Sequence, residues 1–166
     1  MKVHPYLNFD GRAEEAFHFY RSIFGGEFMS NMKISDSPGS GNLSKEDQNR
    51  TMHISLPIAE DTVLMASDVI ESSGNGLVQG NNMHIMLSPT SKEEAERLFN
   101  ALSKDGNIEM HLEEQFWGDY FGSFTDKFGI KWMVGFNGKK EDALKELEEQ
   151  LPDDISLPKT RTAPLS

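Results

Sequence analysis

A helix carrying Glu14-Glu15-Ala16 returns 79 residues later as one carrying Glu93-Glu94-Ala95. At the same offset Phe19 meets Leu98, Tyr20 meets Phe99 and Ile23 meets Leu102, so the apolar stripes repeat along with the charges. Self-similarity over a span this long implies two copies of one supersecondary unit, each too small to bury its own apolar face fully. The chain is therefore expected to fold as two similar modules around a shared core.

Residues 3–9 read as a strand. Gly11 opens a helix whose stripe is Ala13, Ala16, Phe17, Tyr20, Ile23 and Phe24, at three- and four-residue spacing. Gly25-Gly26 ends it, because glycine takes the left-handed conformation cheaply. A strand over 27–34 follows, then a Ser-, Gly- and Asn-rich loop over 35–47. Residues 50–56 alternate, with Met52, Ile54 and Leu56 on one side and Thr51, His53 and Ser55 on the other. Another strand spans 61–67, and 71–80 reads as a second flexible stretch. The order then starts again with a strand over 82–88. Ser91-Lys92-Glu93-Glu94 has the form of a capping box, and its helix carries Ala95, Leu98, Phe99 and Leu102. Strands over 107–115, 119–125 and 130–136 complete the copy.

The expectation is an α+β fold of two βαβββ modules, about 3–68 and 82–136, in a single domain over 3–137. Residues 138–166 are expected to add a short acidic helix over 141–151 and a disordered tail. In 139–154 three Lys stand against seven Asp and Glu.

The chain has no cysteine, which excludes disulfides, thiolate metal sites and cysteine nucleophiles. Net charge is −11 and the sixteen Lys and Arg are scattered, so no basic patch points to nucleic acid. No apolar run reaches the ~20 residues that span a bilayer, and the first residues lack the core of a secretory signal. These features suit a cytoplasmic protein without nucleic-acid or membrane partners.

Two stretches resemble a known family. One runs from Pro5-Tyr6-Leu7-Asn8-Phe9-Asp10-Gly11 to Phe24-Gly25-Gly26-Glu27. The other runs from Phe116-Trp117-Gly118-Asp119 to Phe128-Gly129-Ile130-Lys131-Trp132. Both resemble the PhnB-type, phosphonate-operon group of the vicinal oxygen chelate superfamily, which includes glyoxalases, bleomycin resistance proteins and dioxygenases. The resemblance covers roughly 3–137. It implies that each module curls a four-stranded sheet around a cleft, with its helix outside, and that a homodimer forms. Many superfamily enzymes hold a divalent metal through residues of the first and last strands of each module.

By that resemblance His84 stands at a ligand position. The offset of 79 puts Pro5 at the matching place in module one, and the last-strand positions fall on Met65 and Met133. Proline offers no donor, and a thioether is a poor ligand for hard or borderline ions. One ligand in four does not make a catalytic site, which needs about three. A one-residue slip in the first strand would restore His4 but no carboxylate. No metal and no cofactor are expected.

Strand alternation also assigns the face away from the helices. His53, Met65, His84, Met86 and Met133 should face the cleft, along with Glu109, His111 and Lys131. Trp117 and Tyr120 are candidate lining residues, being apolar bodies with polar tips. Methionine adapts to irregular apolar ligands, though it also serves simply to fill gaps. Each histidine reads equally as a structural one; His4 and His18 carry no functional signal. Asp68, at a strand end, is either a polar anchor or a turn cap.

The resulting expectation is a metal-independent protein that binds a small, partly apolar molecule in the cleft through His84, His53, Met65, Met86, Trp117, Tyr120 and Met133. The alternative is a metal-dependent lyase, isomerase or dioxygenase-like enzyme using His84. Some relatives are labelled methyltransferases, but the sequence lacks a glycine-rich turn after its first strand. A scaffold that uses the acidic tail as its contact is a third reading.

Overall fold

The computed structural model describes residues 1–70, 74 and 76–138. The expected acidic helix and tail lie outside these residues. Among them are eight strands and three α-helices, in the order β1 (Tyr6–Phe9), α1 (Ala13–Phe24), β2 (Ser30–Lys33), α2 (Lys45–Asn49), β3 (Thr51–Ala59), β4 (Thr62–Asp68), β5 (Ile85–Leu87), α3 (Lys92–Leu102), β6 (Asn107–Glu114), β7 (Tyr120–Thr125) and β8 (Lys131–Phe136). They form two four-stranded sheets, β1-β4-β3-β2 and β5-β8-β7-β6, one from each module. In each, the first strand runs parallel to the last and the other pairings are antiparallel. The α+β arrangement of two βαβββ modules is the one expected. No helix among the described residues is long and apolar enough to cross a membrane.

Local chemistry explains the helix ends. Arg12, at the N-cap of α1, makes no side-chain cap bond. The buried Asp68 carboxylate does that work from β4: Oδ1 accepts from Ala13 N at 3.0 Å and Oδ2 from Thr51 N at 2.8 Å. Asp68 is thus neither a pocket anchor nor a turn cap, but a clamp between α1, β3 and β4. At the other end Gly25, with φ 78°, donates its N–H to Arg21 O. Ser91 caps α3 by accepting from Glu94 N. The Glu94 carboxylate reaches back to Thr90 N and Oγ1 rather than to the Ser91 amide of a capping box. The expected loop over 35–47 contains two short 3₁₀ turns and runs into α2, which Ser44 caps by accepting from Asp47 N.

Each sheet buries one face. Leu7, Ile54, Leu56, Leu64 and Ala66 from the first sheet, and Phe124, Trp132 and Val134 from the second, share one core with Phe17, Tyr20, Phe99 and Leu102 from the helices. Alternation along β4 behaves as read from the sequence; along β3, Ile54 and Leu56 are buried as expected, but Thr51 and Ser55 are buried too and Met52 is only half-buried.

A polar knot joins the modules inside this core. Asp126, in the β7–β8 turn, is only 3% exposed. It accepts from Tyr20 Oη at 2.6 Å, Trp132 Nε1 at 2.9 Å, and the backbone N–H groups of Phe128 and Ile130 at 2.8 and 3.0 Å. Tyr20 belongs to α1, so the carboxylate fastens module one to module two. Burial pushes the Tyr20 phenol up, and the neighbouring Asp126 charge and hydrogen bond add to it, so Tyr20 stays a donor. Asp126→Ala should destabilise the fold by about 3 kcal/mol or more, since several buried donors lose their acceptor. Tyr20→Phe should cost only about 1 kcal/mol. Urea unfolding of both variants measures this, and equal losses would show that the knot is worth no more than one hydrogen bond.

Candidate functional site

The faces turned away from the helices carry most of the candidate residues. On the first sheet Tyr6, Met65 and Ser55 lie in register across β1, β4 and β3. His53 Nδ1 is 3.3 Å from Tyr6 Oη, with the rings 5.8 Å apart. On the second sheet the row is Met86, Met133 and Ser123. A Cβ on Gly135 would lie 2.5 Å from Met86 Cε, so glycine there makes room for the methionine.

Beside this row sits a polar cluster. Glu109 Oε1 accepts from Lys131 Nζ and from Thr125 Oγ1, the latter at 2.7 Å. Its Oε2 lies 3.3 Å from His84 Nε2. The Lys131 hydrogen bond is the largest cause that brings the Glu109 carboxyl down to about 2; Thr125 and His84 assist against a desolvation penalty. An ionised carboxylate only accepts, so His84 carries its proton on Nε2 and donates.

The main pocket does not lie on the floor of either sheet. It is a cavity of about 830 Å³ at the seam where the start of β1 approaches β5 and α3. His84 and Met86 line it, whereas His53, Met65, Met133, Trp117 and Tyr120 do not. Tyr120 lies on the helix side of its sheet, donating to Glu96 at 3.0 Å beneath the Lys92 ammonium, because β7 alternates with Gly122 and Phe124 inward. Trp117 stands at the β6–β7 tip beside the exposed Phe116 and donates to Asp119. His53 and Met65 share the open face of the first sheet, and Met133 that of the second.

The seam brings in residues outside the expected set, above all His4 and Tyr6. Strand register shows why. Ala66 and Val134 are equivalent last-strand residues, and they pair with Leu7 and Leu87. The first-strand offset is therefore 80, not 79. The connection to the helix differs by one residue: nine steps from Leu7 to Ala16, eight from Leu87 to Ala95. The counterpart of His84 is thus His4 rather than Pro5, and that of Met86 is Tyr6. The slip noted in the sequence was the signal that pointed to His4.

With this correction the four superfamily ligand positions are His4, Met65, His84 and Met133. Two are thioethers, His4 Nδ1 accepts from Val63 N at 3.1 Å, and His84 Nε2 is engaged by Glu109. Among the described residues no three His, Asp or Glu side chains converge as a metal-binding group. The donors do not fit a glyoxalase-type divalent site.

The sequence model of the 3-demethylubiquinone-9 3-methyltransferase family matches residues 1–135. The chain belongs to this PhnB-like family. Protein YjdN of Escherichia coli K12 is 32% identical over 142 residues, covering 81% of this chain and 94% of that one. Protein PA1353 of Pseudomonas aeruginosa superposes with a TM-score of 0.73 at 36% identity, covering 82% of this chain and 98% of its own. A Bacillus cereus PhnB protein, titled a putative 3-demethylubiquinone-9 3-methyltransferase, gives 0.65 at 25%, covering 82% and 99%. Structures of a glyoxalase/bleomycin resistance protein and a glyoxalase-related enzyme, at 14% and 16% identity, share the fold alone. The PhnB-like chain thus has the glyoxalase/bleomycin-resistance fold.

The Glu109 cluster generates a pH prediction. A carboxyl depressed by folding stabilises the protein above its ordinary value of 4.5, and that contribution is lost as pH falls through about 2. Solvent screening keeps it to about 1 kcal/mol or less. Between pH 4.5 and 2 the wild type should lose stability more steeply than Glu109→Gln in urea titrations, and parallel slopes would remove the cluster from the balance.

Proposed function

We propose that this PhnB-like protein binds a small, partly apolar molecule in the seam pocket, without a catalytic metal. The observation that carries the reading is the pocket itself: about 830 Å³, mostly apolar, with His4, Tyr6 and His84 among its few polar groups. That composition is the usual one for a small-molecule site. Met83 and Met86 in its wall suit an irregular apolar shape. Methyl transfer is not part of the proposal. Both sheets are mainly antiparallel, whereas nucleotide-type cofactors are typically held at the ends of parallel strands in doubly wound sheets.

A ligand at a hundred times its dissociation constant should stabilise the fold by about 2.7 kcal/mol, which a thermal-shift screen of neutral, anionic and cationic compounds reads directly. Met86→Glu should abolish the shift while leaving the unliganded melting temperature within a few degrees. A library with no stabilising member would argue against a binding role.

The corrected register favours one second reading, a metal-dependent enzyme, because it puts histidines at both first-strand positions. Plasma mass spectrometry of untagged protein separates the two. We expect no stoichiometric divalent metal in wild type or in His84→Ala; a metal present in the first and lost in the second would establish the enzyme reading.

A homodimer and a cytoplasmic setting belong to the same proposal. Met32, Met110 and Trp117, outside the pocket, are exposed in the single chain, and a second copy is the simplest cover for such surface. Light scattering should give twice the chain mass, and a monomer at micromolar concentration would refute this part.

A further inference from the structure

His4 and His84 occupy equivalent places in the two modules and line one pocket, yet their hydrogen bonds run in opposite senses. Val63 N–H can only donate, so His4 Nδ1 is bare and its proton sits on Nε2. Glu109 can only accept, so His84 also presents an Nε2 proton, and its neutral ring leaves Nδ1 bare. In His4 the unused atom is therefore a donor. In His84 it is an acceptor. Neither atom hydrogen-bonds another described residue.

Charge narrows the ligand further. The pocket's charged side chains are Glu94 and Arg97. Glu94 accepts twice from Thr90, and Arg97 donates to Ile23 O while lying 4.0 Å from Glu94. The two carry opposite charges 4.0 Å apart, so together they offer an ion no net counter-charge. A charged ligand would give up hydration without a net counter-charge, which disfavours it. A neutral ligand avoids that cost.

We propose that the seam pocket selects neutral carbonyl compounds that also carry an N–H or O–H, such as primary and secondary amides, with the carbonyl accepting from His4 Nε2–H and the N–H donating to His84 Nδ1. This rests on the binding reading above and sharpens it.

The test has two arms. In the first, long-range ¹H–¹⁵N spectra of the free, full-length chain at neutral pH assign the ring protons. Both His4 and His84 should be Nε2–H tautomers. An Nδ1–H ring at either position overturns the proposal whatever binds.

In the second arm, ligand-observed NMR titrates 3-phenylpropanamide, N,N-dimethyl-3-phenylpropanamide and 3-phenylpropanoate. The amide should bind about tenfold more tightly than its dimethyl form, which lacks the donor, and more tightly still than the carboxylate. His84→Ala should erase the preference for amide over dimethylamide while leaving the latter's affinity within about twofold. His4→Phe should weaken both amides together. Equal binding of the three probes, or preference for the carboxylate, overturns the selectivity while leaving a binding pocket in place. Absence of binding by all three overturns the amide class, and an empty thermal-shift screen would remove the binding reading as well.

Discussion

The Asp126 carboxylate is the contact on which the two-module architecture turns. A buried charge is expensive unless its lone pairs are filled, and here four donors fill them. Two are backbone groups of its own turn, which shape the β7–β8 connection. Trp132 comes from the next strand and Tyr20 from the helix of the other module. Apolar packing alone would let α1 slide over the second sheet, since dispersion is non-directional. The hydrogen bonds from Tyr20 and Trp132 fix one position, and the rings of Tyr20, Phe128 and Trp132 then pack at centroid distances of 5.6 to 6.1 Å. Because α1 follows β1 directly, fixing α1 also fixes where β1 lies against β5. The seam pocket is a product of that placement.

Asp68 plays a similar part within module one, where it clamps the start of α1 to β3 and β4. Asp68 and Asp126 thus serve geometry rather than chemistry. The ionisable groups with chemical potential lie on the open faces, where solvent limits the cost of their charge. Glu109 illustrates the difference. Lys131, Thr125 and His84 converge on it at the surface of the second sheet. Its lowered pKa reflects chiefly the Lys131 hydrogen bond and then that of Thr125, with His84 a smaller contributor.

The helices and strand faces were legible because both are periodic, and burial enforces the period. Ala16, Phe17 and Tyr20 are fully buried as the stripe in α1 requires, and Ile54 and Leu56 alternate inward as β3 requires. The site was less legible for a related reason. A helix tolerates a one-residue drift, since neighbouring positions on its apolar stripe still face the core. A strand does not, because one residue of slip reverses every side chain. The offset of 79 was right for α1 and α3 and wrong by one for β1 and β5, which moved the equivalence from His4 to Pro5. Tyr120 was a candidate for its polar-tipped ring alone, and its side of the sheet could not be assigned until its pairing with Phe136 was known. The pocket itself left no local trace, because it lies between segments about 80 residues apart.

A duplicated fold begins with a symmetric pair of side chains at its seam, and a symmetric pair suits a metal ion or a symmetric ligand. The surroundings of His4 and His84 remove that symmetry. Module one offers the first histidine a backbone donor, whereas module two offers the second a carboxylate. The rings need not differ in protonation, only in which nitrogen is already used. That is an inexpensive way to give a pseudo-twofold pocket a direction, because it demands no new charge in the cavity and no change in the strands. It also explains why the metal positions fail here as a set. Each histidine has committed one nitrogen to a neighbour, the matching last-strand residues are thioethers, and what remains is one donor and one acceptor suited to a hydrogen-bonding molecule rather than to a cation.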